Sequence, residues 1–184
     1  MRPCLLLVLL IGLAAPAVAA QPAGEALKPP VVGLMRHGGG IVATPGQPAP
    51  IPGCDPGAVL TDAGREEMRR FGERLRAEGV RAARLFSSRQ CSAWETALLL
   101  GLGPVRHHAA LDPFSPADRD ARRHALRRAL LDASAEADAE APAILITHRA
   151  NIADLTGIEL VQGNMLLLRA EGDRLMMSGR ITSD

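Results

Sequence analysis

The sequence predicts an α/β fold: a three-layer sandwich with a mostly parallel central sheet flanked by helices, and an antiparallel strand contributed by a C-terminal hairpin. Three observations carry that expectation. Residues 31–35 (VVGLM) and 143–147 (AILIT) are short, continuous apolar runs, the pattern of parallel strands buried on both faces. Between them, Met68, Phe71 and Leu75 recur at helical spacing, with charged residues filling the opposite face. Residues 165–169 and 175–181 then flank Glu171-Gly172-Asp173-Arg174, the pattern of a hairpin that closes a sheet. A chain of 184 residues with 47% hydrophobic composition has enough apolar surface for one domain with a sizeable core.

The chain begins with a targeting pattern. Arg2 precedes an apolar run over residues 5–13, broken only by Gly12, and residues 17–20 are the small residues of a cleavage site. Residues 1–20 therefore read as a secretory signal peptide, too short to be an integral membrane span, and the protein as exported, periplasmic or secreted. Residues 21–30, rich in Pro and Ala, read as an extended lead-in, which leaves residues 31–184 as the domain. Lys and Arg number 21 against 20 Asp and Glu, so there is no basic field to attract nucleic acid. Trp94, Phe71, Phe86 and Phe114 are the only aromatic residues besides histidine, too few for a platform that stacks bases.

The first apolar run ends in Arg36-His37 followed by Gly38, Gly39 and Gly40. Arg36 offers a planar, permanently charged fork suited to phosphate or carboxylate, and His37 can act as nucleophile or base near neutral pH. At the C-terminal end of a parallel strand the pair would stand where open α/β sheets bind ligands. The same tripeptide also fits a surface Arg and His beside a flexible loop, and by itself does not choose between the two.

Residues 41–59 carry five prolines and three glycines without a period and read as a long loop. Thr61 or Asp62 can cap a helix that runs to about Glu78 and stops at Gly79. A second strand over residues 83–87 leads through Ser88-Arg89-Gln90-Cys91 into a helix over about 93–100, whose start, Ser92 to Glu95, has the S-x-x-E capping-box spacing. Residues 101–116 read as another loop, with His107 and His108 exposed on it and no ligand set for a metal around them. Residues 117–139 form a long helix whose arginines face solvent, and a short helix starts near Asn151. The run 143–147 ends in His148, so two parallel strands side by side would bring His37 and His148 to one sheet edge. Cys54 and Cys91 are an even pair once Cys4 is lost with the signal, and in an oxidising compartment that favours one disulfide.

Three blocks in order, LMRHG at residues 34–38, SSRQCSAWETA at 87–97 and THRANIADLTG at 147–157, resemble the histidine phosphatase (phosphoglycerate mutase-like) superfamily, and especially its small exported members. The resemblance spans nearly all of residues 21–184. It implies that His37 is a nucleophile that forms a phosphohistidine. Arg36, with Gly38 beside it, would bind the phosphoryl oxygens, and a protonated His148 would be the second histidine of the phosphate pocket. It also implies a small phosphorylated substrate, no cofactor and no metal, and the paired cysteines resemble a bridge between corresponding loops of the exported group.

The departures matter equally. Where the family usually places a second phosphate-binding Arg, this chain has Ser92, with Arg89 three residues earlier as a possible substitute. Gly57-Ala58-Val59-Leu60 lacks an Arg common in exported members, and a late Gly-Glu pair appears as Gly163-Asn164. Two functions follow: an exported phosphomonoesterase, or a weakened or inactive relative that binds a phosphorylated or anionic ligand in the same pocket. The general acid is unassigned among Asp55, Asp112, Asp118 and Glu95.

Overall fold

The structure, a computed structural model, describes residues 21–43, 46, 49, 51–113 and 116–184. The expected signal peptide, residues 1–20, lies outside the described residues. A six-stranded sheet forms the middle layer. Its strands are β1 (Val31–Arg36), β4 (Arg84–Ser87), β5 (Val105–His107), β6 (Ala143–Thr147), β7 (Met165–Glu171) and β8 (Arg174–Ile181), in the order β5-β4-β6-β1-β7-β8. The first four are mutually parallel, and β7 and β8 run antiparallel as the predicted hairpin. A separate two-stranded ribbon pairs β2 (Ile41–Ala43) with β3 (Ala58–Leu60).

The two apolar runs alternate between two cores because successive strand side chains point to opposite faces. Val31, Met35, Ile144 and Ile146 pack with Met68, Phe71 and Leu75 of α2 (Asp62–Ala77) and with Ala93, Ala97 and Leu100 of α3 (Cys91–Leu100). Val32, Leu34 and Leu145 pack on the other side, with Leu126, Ala129 and Leu130 of α4 (Arg119–Glu136) and Ile152 of α5 (Arg149–Thr156). Each large aliphatic side chain enclosed in this way contributes about 1.5–3 kcal/mol. The outer face of α4 pairs Arg123 with Asp120 and Arg128 with Asp132, exposed ion pairs that contribute little.

Several local expectations are corrected. The lead-in is not simply extended: α1 (Ala23–Ala26) is one helical turn whose Ala23 and Leu27 are fully buried, and Ala23 N–H donates to the Glu78 carboxylate. The predicted loop over residues 41–59 is closed at its ends by the β2/β3 ribbon, and residues 101–116 include β5 and a 3-10 turn, Ala109–Leu111. Three-residue strands carry too little pattern to be read from sequence. Thr61 caps α2 through a bond from Gly64 N–H, as one of the two predicted alternatives. The capping box at Ser92 and Glu95 does not form, because α3 starts two residues earlier, at Cys91. Glu95 instead accepts from Leu60 N–H and from Arg65, partners more than 29 residues away in sequence.

Cys54 and Cys91 are joined by a disulfide that ties the end of the 41–59 segment to the first residue of α3, with Val59, Ile51 and Trp94 packed around it. A bridge across 37 residues of chain contributes about 3–4 kcal/mol on a chain-entropy account. Reduction with excess dithiothreitol is expected to lower urea stability by that amount. Two free thiols titrated in unreduced protein would refute the bond.

Candidate active site

The site is assembled by strand register. β1 and β6 lie side by side with Arg36 opposite Thr147, so the residues that follow, His37 and His148, leave the sheet together. His37 N–H donates to Thr147 O, which locks the two exits to each other. The imidazole centroids are 5.4 Å apart with planes inclined at 55°, and both rings are buried, 6% and 9% exposed. The predicted meeting of the two histidines is therefore found.

The turn after His37 is shaped by close packing. Gly38 N–H donates to Thr96 Oγ1 at 2.8 Å, and a Cβ at Gly38 would lie 2.7 Å from the Met68 side chain, so any side chain here would push Met68 of α2 aside. His37 Nδ1 is 3.0 Å from Gly38 O. A carbonyl can only accept, so Nδ1 carries the proton and the Nε2 lone pair is free. Burial holds His37 below the ordinary imidazole range, the Gly38 bond opposes that, and the Arg36 charge adds to it. At neutral pH the ring is an unprotonated base.

Arg36 is half-buried. Its Nη1 donates to Leu160 O at 2.8 Å, while its Nε is buried with no partner among the described residues. Burial lowers the guanidinium's pKa, nearby Arg149 lowers it further, and Glu159 opposes both. Arg149 is itself paired with Glu159 at 3.3 Å, an exposed ion pair that acts on the Arg36 charge.

His148 caps no amide with its side chain; its Nε2 lies 2.8 Å from Ser88 Oγ. Burial, then the neighbouring His37, holds it down to about 3, with Asp112 pulling upward and Arg36 adding to the depression. In the free protein His148 is thus neutral at pH 7; the imidazolium expected from the resemblance belongs to the phosphate-bound state. Ser88 Oγ donates onward to Asp112 Oδ1 at 3.0 Å, and Asp112 Oδ2 is 2.8 Å from His107 Nε2. His107 is therefore paired on β5 rather than exposed on a loop, and His108 Nδ1 accepts from Ala110 N–H at the start of the 3-10 turn.

The other predicted residues fall unevenly. Arg89 lends its backbone N–H to Asp112, but its side chain is exposed and makes no hydrogen bond or ion pair among the described residues. Ser92 is fully buried and its hydroxyl has no partner among the described residues, so nothing at that position supplies a positive charge. Of the four carboxylates considered as general acid, Glu95 is engaged by Arg65, and Asp112 is held ionised. Burial pushes Asp112 up, but bonds from Arg89 N–H, His107 and Ser88 outweigh it. Asp55 is exposed beside residues 89–91, and Asp118 is exposed at the start of α4. Among the described residues no three His, Cys, Asp or Glu side chains gather where a metal could bind, and no helix is long and apolar enough to cross a membrane.

Sequence reasoning missed Ser88, Thr96, Asn151 and Glu67. Asn151 Nδ2 donates to the carbonyls of Leu111 and Asp112, pinning that loop against His148's strand. Glu67 lines a cleft of about 560 Å³ beside Gly39, together with Gln162, Asn164 and Arg180. Ser88 and Thr96 lie in the SSRQCSAWETA block and Asn151 in the THRANIADLTG block, which was their sequence signal; Glu67 had none.

No protein-family model and no curated protein sequence matches the chain. Solved structures do. The protein histidine phosphatase SixA complexed with tungstate superposes with TM-score 0.59 at 16% identity, covering 83% of this chain and 97% of that one. A mycobacterial glucosyl-3-phosphoglycerate phosphatase in complex with inorganic phosphate gives TM-score 0.59 at 16% identity, covering 83% and 98%. A phosphoserine phosphatase mutant from Entamoeba histolytica, in complex with phosphoserine, gives 0.58 at 12%, covering 83% and 97%. What is shared at these identities is the fold.

Proposed function

We infer that this chain, which has the fold of the histidine phosphatases, is an exported phosphomonoesterase that works through a phosphohistidine on His37. The observation that carries the reading is the buried pair of imidazoles beside a half-buried guanidinium with one unpartnered N–H. Two rings 5.4 Å apart, both poor in protons, are a poor core element and a good receptacle for one tetrahedral anion.

His37 Nε2 attacks phosphorus in line; the P–N bond forms as the ester P–O bond breaks, and the leaving alkoxide takes up a proton from solvent water. Water then attacks the phosphohistidine, the P–N bond breaks, and inorganic phosphate leaves. Arg36 binds the non-bridging oxygens, with Gly38 giving the close backbone approach. His148 takes a proton as the dianion enters, because the negative charge offsets the burial that kept it neutral. Positioning and electrostatics carry most of such a transfer. The substrate is a small phosphorylated molecule, and neither cofactor nor metal has a role in this scheme.

A second reading is favoured by one observation: buried Ser92 stands where the family usually has an arginine. A weakened or inactive protein that holds a phosphorylated or anionic ligand in the same pocket would tolerate that loss. Losing one such donor costs about a hundredfold to a thousandfold in rate.

Trapping separates the two. Quenched turnover of a radiolabelled phosphomonoester is expected to leave an acid-labile, base-stable label on the peptide containing His37. Phosphate release with no label on that peptide would end the phosphohistidine reading.

A further inference from the structure

The hydroxyl of Ser88 is fully accounted for. Its single hydrogen goes to Asp112 Oδ1 at 3.0 Å, and its two lone pairs accept Gln90 N–H at 3.2 Å and His148 Nε2 at 2.8 Å. Because Asp112 is ionised and accepts three bonds, it has no proton to give back. The proton between His148 and Ser88 must therefore sit on Nε2. Ser88 is completely buried, so water does not compete for this arrangement.

We propose that Asp112, acting through Ser88, is a positioning residue for His148. The chain fixes His148 as the Nε2–H tautomer, leaves Nδ1 as the ring nitrogen presented to a phosphoryl oxygen, and provides a fixed counter-charge when bound phosphate makes that ring cationic. The proposal rests on the phosphatase reading for what Nδ1 meets, but not for the tautomer itself. The charged and titratable groups that bear on His148 are His37 and Arg36 from β1 and its exit, and Asp112 after the 3-10 turn. Asp112 is in turn faced by His107 of β5. Of these, Asp112 alone favours the imidazolium. A hydrogen-bonded partner that sets the tautomer of an active histidine is worth about ten- to a hundredfold in activity in comparable metal sites.

The test is long-range 1H–15N correlation of the histidine rings in the folded, disulfide-bonded protein, with inorganic phosphate as probe. At pH 7 wild-type His148 is expected as Nε2–H, turning to imidazolium when phosphate is added. In Ser88→Ala and in Asp112→Asn the free ring is expected to populate Nδ1–H, and kcat to fall about ten- to a hundredfold with an altered acidic limb of the pH profile. Asp112 also holds the Arg89 amide; if Asp112→Asn does not fold, Ser88→Ala carries the test. A wild-type ring found as Nδ1–H, or a Ser88→Ala ring with unchanged tautomer and phosphate response, overturns the proposal. The free-ring tautomer needs no substrate. A protein with the Nε2–H ring that hydrolyses no ester therefore sinks the phosphatase reading and leaves the chain from Asp112 standing.

Discussion

His37→Ala is expected to release phosphate from a phosphomonoester at the background rate, a loss of about ten-thousandfold or more, while still binding inorganic phosphate. The two halves of that result come from different atoms. Turnover needs the free Nε2 that the Gly38 bond exposes, and alanine offers none. Binding depends on Arg36 and His148, which alanine leaves in place. Steady-state assay and calorimetric titration of the same variant read both. Equal release by wild type and variant would remove His37 from the chemistry. Absent turnover in both, with phosphate bound by both, would instead select the ligand-binding alternative.

The second large effect is on acid stability. His148 is held to about 3 in the folded protein against an ordinary 6.5, so between those values the unfolded chain binds the extra proton. Stability therefore rises with pH through this window and is lost on acidification below about 6.5. Between pH 7 and pH 4 the loss assigned to this one ring is about 3 kcal/mol. His148→Gln is expected to escape it. Urea unfolding of both proteins at the two pH values should show the wild-type-minus-variant difference shift by about 3 kcal/mol toward the variant at pH 4. No shift would mean that the ring is not neutral and enclosed as described. A buried unprotonated pair is thus a standing cost of the site, of the kind retained where function needs it.

The layers and the meeting of His37 with His148 were legible because they depend on long local signals. Each apolar run is five residues or more, each ends in a histidine, and side-by-side pairing of such runs is a general rule. The Ser92–Glu95 box failed for the opposite reason. Its spacing was right, but Arg65 and the Leu60 amide, distant in sequence, compete better for the Glu95 carboxylate. The chain from His107 through Asp112 and Ser88 to His148 was illegible in the same way. It links three segments, residues 107–112, Ser88 and His148, whose successive members the fold brings within 3.0 Å of each other. That His148 is neutral until an anion enters was not legible, because composition does not reveal how dry a pocket is.

The pairing of Arg36 with Thr147 has an evolutionary corollary. Since pleating sends neighbouring side chains to opposite layers, gaining or losing one codon inside either run turns every core contact of that run inside out and carries one imidazole out of alignment. Such indels should be purged, whereas indels in the segment joining the small ribbon's two strands leave this alignment intact. Length variation among descendants of this chain should therefore concentrate there.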